Sequence, residues 1–118
     1  MLELFFNERS PFYTPFTNAD KRDSVPIIEQ VYDLALMTRD GGVQALDEHL
    51  RKNGEEFNFI LKQGLLLVLD GTEPDLVRLI LTNFILSSNF KGSELLKRFL
   101  AMEGVLGIQS GWNPRIIQ

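Results

Sequence analysis

The stretch LKQGLLLVLDGTEPDLVRLIL, Leu61 to Leu81, is the strongest constraint on the fold. Phe57, Ile60, Leu61, Gly64, Leu65 and Val68 recur at the spacing of one helix face, and Leu66, Leu67 and Leu69 widen that stripe. Asp70-Gly71 stops the helix. Thr72, Glu73, Pro74 and Asp75 then read as the start of another, with the Thr72 hydroxyl aimed at a free backbone N–H, Asp75 reaching back, and Pro74 in the first turn. A competing reading makes GLLLVLD a buried strand entering a βα unit.

The same grammar extends in both directions. Ser24 is expected to cap a helix with Pro26 in its first turn and Ile28, Val31, Tyr32 and Ala35 on one face. Gly41-Gly42 should end it, and a shorter helix follows from Val43 to Lys52. Leu76 to Leu86 forms the next helix, SSNFKGS a loop, and Ser93 the cap of a helix through Leu95, Phe99, Met102 and Leu106. Gly107, Ser110 and Gly111 should weaken its end. Asn113-Pro114 reads as cap and first position of a last helix cut short at Gln118, with Trp112 anchoring the preceding turn. No repeat or low-complexity segment stands out.

At 118 residues the chain has room for about one domain. The expected architecture is all-α: a single compact domain of five to six short helices at 24–118, preceded by an irregular aromatic arm at 1–23. In that arm Phe5, Phe6, Phe12, Tyr13 and Phe16 lie beside Pro11 and Pro15 without helix or strand periodicity. It either packs on the domain or serves as a docking or membrane-surface arm.

Charge and chemistry narrow the function classes. A formal charge of -4 gives nucleic acid and anionic lipid an unfavourable field. The absence of cysteine removes disulfides, thiol catalysis and cysteine-based zinc sites, and fits a reducing compartment. The longest apolar run, Gly64 to Leu69, is far short of the roughly 20 residues a membrane-spanning helix needs. MLELFFNERS lacks the basic start of a signal peptide, so the expected location is cytoplasmic.

His49 is the sole histidine and is read as a surface residue, since Asp47 and Glu48 beside it point elsewhere on a helix. No nucleophile elbow or phosphate loop occurs, and no metal, cofactor or catalytic residue is expected. Binding is the better prospect. Arg39 ends the first helix, where the dipole favours a cation, and Asp47 and Arg51 sit four apart and can pair.

Two blocks carry a resemblance. LALMTRDGGVQALDEHL together with FILKQGLLLVLDGTEPDLVRLIL resembles the cytoplasmic segment of the flagellar motor stator MotA family, and LLKRFLAMEGVLGIQSGWNPRII is similar to that family's C-terminal cytoplasmic tail. In the family two membrane-spanning helices separate the blocks and line an ion path with the partner subunit MotB. Here only SSNFKGS intervenes, so this stretch cannot form a channel. The resemblance implies a noncatalytic component of bacterial motility and chemotaxis, peripheral to the inner membrane at the flagellar motor. It further implies electrostatic contact with the rotor switch protein FliG through Arg39 and Asp47, the latter shortened from the family's usual glutamate. Within it Gly41, Gly42, Asp70, Gly71, Thr72, Pro74 and Asp75 remain architectural. The alternative is a soluble scaffold or regulator that binds another partner through its aromatic arm.

Overall fold

The computed structural model describes residues 16–112, with no side chain described for Trp112. Among these residues every regular element is helical: α1 (Asn18–Asp23), α2 (Val25–Asn53), a 3-10 turn (Gly54–Glu56), α3 (Phe59–Leu69), α4 (Pro74–Ser87) and α5 (Gly92–Trp112). The all-α class holds, and Gly64 to Leu69, read alternatively as a strand, lies in α3. The helices are not uniformly short, since α2 runs 29 residues and α5 runs 21.

α5 is the central helix. It packs against α1, α2, α3 and α4, while α3 and α4 pair with each other. The core joins Leu34, Leu46, Leu61, Leu65, Leu81 and Val105, each at most 2% exposed. Leu95, Phe99, Met102 and Ile108 extend that core along α5. Two glycines permit the closest crossings: a Cβ built on Gly64 would lie 2.7 Å from Val105 Cγ2, and one on Gly104 would lie 2.6 Å from Val31 Cγ1.

Several local expectations give way. Ser24 does not cap α2 with its side chain. Instead Thr17 and Asp20 form a reciprocal capping box on α1, and the Ser24 hydroxyl donates to the Asp20 carbonyl at 2.8 Å. α1 and half-buried Phe16 therefore belong to the helical body, although both fall within the expected arm. On α2 the buried residues include Ile27, Leu34 and Thr38, whereas Ile28 and Tyr32 are 50% and 63% exposed. Val31 and Ala35, on the expected face, do pack against the core. The buried arc lies about one position out of phase with the expected one, and Thr38 can join the core because its hydroxyl donates to the Leu34 carbonyl.

Asn58 rather than Phe57 opens α3, its Oδ1 accepting from the Ile60 N–H at 2.9 Å. At the other end Gly71 donates to the Val68 carbonyl and Thr72 to the Leu67 carbonyl, the paired bonds of a Schellman closure. Asp70 is the C-cap of α3, and Gly71 takes φ +84°. Pro74 is the first residue of α4, but neither Thr72 nor Asp75 makes the expected capping box; Glu73 occupies the cap position without a side-chain bond. The Thr72 backbone is committed instead to α3 and, through its carbonyl, to Gln109 Nε2 at 2.7 Å. α5 begins at Gly92, one residue ahead of Ser93, and continues through Gly107 and Ser110. Asn113 and Pro114, the expected final cap, lie outside the described residues.

Candidate functional site

The charged surface built around the bend in α2 contains each proposed partner-binding residue. Gly41-Gly42 breaks this helix as expected, with a bend rather than a loop: Gly42 has φ +73° and ψ -167°, a combination open essentially to glycine, between helical segments on both sides. Gly41 is exposed and crowded, since a Cβ there would meet Ala45 Cβ at 2.6 Å. Arg39 lies just before the bend with its side chain 72% exposed and its Nε 3.3 Å from Asp40 Oδ1. Adjacent positions on a helix diverge, so this is a loose surface contact of small energetic weight.

Beyond the bend, Asp47 Oδ2 accepts from Arg51 at 2.9 Å, the (i, i+4) pair expected from spacing. Arg51 remains 77% exposed and Asp47 39%. Leu46 and Leu50, buried one position before each member of the pair, seat the inner face of this helix in the core and leave the pair at the surface. No ion pair among the described residues joins Arg39 to either member. The bend, not a direct bond, sets their separation. Such a surface can orient and steer a charged macromolecule, and its groups keep their hydration until contact.

His49 departs from the surface reading. It is half-buried, its Nδ1 lies 3.2 Å from Asn53 Nδ2, and its ring stands 5.5 Å from that of Phe57. It borders an open cleft of about 460 Å³ with Glu29, Asp33 and Glu56. Among the described residues no group of three histidine or acidic side chains converges as a metal site. The aromatic and amide contacts of His49 account for its position as a spacer between the end of α2 and the turn before α3.

Elsewhere one ion pair ties two helices together and another braces the start of α5. Arg78 on α4 donates to both carboxylate oxygens of Glu103 on α5, at 2.6 and 3.3 Å. Hydrogen bonding to Glu103 lifts the Arg78 guanidinium above its usual range against the opposing pull of partial burial. Arg98 lies 3.4 Å over the Phe90 ring and donates to Glu94 at 2.8 Å, which holds the Glu94 carboxyl below its usual range despite some desolvation. Distance in sequence hid the Arg78–Glu103 pair; the Glu94–Arg98 spacing was visible.

Gly64 and Gly104 are both contact points between helices, a role that hydrophobic periodicity does not register. No helix among the described residues is long and apolar enough to cross a membrane. Comparison with family models, curated proteins and solved structures finds no match.

Proposed function

We propose that the protein is a noncatalytic, stator-like component of the bacterial flagellar motor, acting in the cytoplasm by electrostatic contact with a FliG-like rotor protein. The family resemblance of the two sequence blocks supplies the identity of the partner. The observation that carries the reading is the solvent-facing arrangement of Arg39 and the Asp47–Arg51 pair on either side of a bend that glycine alone sustains. Charges so exposed contribute little to stability, which leaves them free to act in recognition. They favour fast, oriented and salt-sensitive encounter over tight holding, as a surface meeting successive rotor subunits requires.

The test is charge reversal. Arg39→Glu and Asp47→Lys should each weaken binding to purified FliG severalfold, reduce its salt dependence and impair motility, while far-UV circular dichroism stays unchanged. Wild-type binding by both variants would remove the site. Deleting residues 1–15 leaves α1 in place and should preserve binding; loss of binding on that deletion would transfer recognition to the arm.

A further inference from the structure

The outward face of α4 is almost free of charge. Away from its buried positions, Val77, Leu81, Thr82 and Ile85, the helix presents Leu76, Leu79, half-buried Ile80 and Leu86, with Phe84 flanking the buried stripe on the α3 side and Asn83 and Ser87 as the polar interruptions. Its two charged residues are otherwise placed: Arg78 is joined to Glu103, and Asp75 lies in the first turn. α3 extends the same surface, since the Phe59 ring stacks edge-on to Phe84 at 5.5 Å and Leu66 lies two turns along from Phe59.

Phe59, Leu66, Leu76, Leu79, Phe84 and Leu86 are 38–52% exposed. With free side chains of about 200 Å² each, they leave roughly 500 Å² of apolar surface in water, at the upper end for the largest patch on a monomer. We propose that this α3–α4 face is the contact through which a second copy of the chain docks, with the two α4 helices antiparallel across a two-fold axis.

Three observations select that occupant. Two such faces together remove about 1,000 Å², which reaches the lower bound for a specific interface. The depletion of charge at the centre of the patch, against an exposed acidic border at Asp70, Glu73 and Asp75, is the pattern of an interface core with a polar rim. An antiparallel arrangement sets the acidic start of one α4 beside the partner's C-terminal end, where exposed Lys91 follows, and it opposes the helix dipoles favourably. An anionic lipid surface fits worse, because the acidic border and the net charge of -4 would repel it.

This proposal is independent of the motor reading, and solution mass tests it. Sedimentation equilibrium of the full chain should give a concentration-dependent rise toward twice the 13.5 kDa of one chain. Leu79→Glu with Phe84→Glu should hold it at one chain with unchanged circular dichroism, whereas Ile28→Glu with Tyr32→Glu, on exposed α2 positions, should leave the dimer intact. Because the chain has no cysteine, Ile80→Cys at the middle of α4 should give a disulfide-linked dimer on mild oxidation, and Glu29→Cys should not. The proposal is overturned by a wild-type chain monomeric at its highest soluble concentration, by a dimer that the α4 pair leaves intact or the α2 pair disperses, or by failure of Ile80→Cys to cross-link. Dimerisation only after deletion of residues 1–15 would make the arm the occupant, and binding to phosphatidylcholine vesicles without dimerisation would make it a membrane; either result also overturns the proposal.

Discussion

A methyl group added at Gly64 would sit 2.7 Å from Val105 Cγ2 and 2.9 Å from Leu81 Cδ1, closer than packed carbon atoms tolerate. Gly64→Ala is therefore expected to destabilise the fold by about 1–3 kcal/mol, through displacement of α3 from α5. Gly107 on α5 offers the contrast, because a Cβ there meets nothing within 4 Å and the residue is exposed on a continuous helix. Gly107→Ala should stabilise by about 0.5–1 kcal/mol. Urea unfolding of the two variants checks both signs. At this scale the sequence was a mixed guide. Of the expected stripe Ile60, Leu61, Gly64, Leu65 and Val68 are buried, because a helix with so broad an apolar arc has few ways to sit, while Phe57 lies ahead of the helix and is only half-buried. On α2 the apolar residues Ile27, Ile28, Val31 and Tyr32 fit two faces almost equally, and only the neighbour decides: Val31 faces Gly104, which turns Tyr32 out.

Among elements, the bend in α2 and the joint between α3 and α4 depend on single backbone conformations. Gly42 lies in a region closed to residues with a Cβ, so Gly42→Ala should cost about 1–3 kcal/mol although nothing touches the added methyl. Thermal unfolding measures that loss, and an unchanged melting temperature would mean that the bend straightens without penalty. Both glycine stops were legible because left-handed turns have few occupants. The caps were not, since Ser24 and Thr72 satisfy the residue preference for capping while their neighbours decide whether it is used. α1 takes the Ser24 hydroxyl, and α3 and Gln109 take the Thr72 backbone.

The first turn of α5 also carries a pH signature. Glu94 has its pKa lowered by the hydrogen bond from Arg98, so its contribution is fully present above its unfolded value near 4.5 and is lost as pH falls through the lower folded value. Solvent exposure limits that contribution to about 0.3–0.5 kcal/mol. Stability curves of wild type and Glu94→Gln should converge under acid conditions and separate above pH 4.5, with wild type the more stable.

For the whole molecule, the layout of buried stripes follows from periodicity, whereas the order in which helices touch does not. Nothing in the pattern of Leu95, Phe99, Met102 and Val105 announces that this helix is the one against which the other four pack. The candidate site was legible in a narrower sense: the Asp47–Arg51 spacing implied its ion pair, and the Gly41-Gly42 pair implied a break. Their relation across a bend required coordinates. The central position of α5 predicts that a fragment comprising residues 1–91 loses cooperative thermal unfolding and most of its helical circular dichroism, and that adding a peptide of residues 92–118 restores part of the signal. A fragment that melts cooperatively by itself would mean that α2, α3 and α4 close a core without α5.

In chain order α5 follows every helix it holds. During translation the earlier helices must therefore wait with their greasy sides uncovered until the ribosome has delivered the segment that unites them. A chain of this design completes its fold late, and the interval before completion is when it most needs chaperone protection.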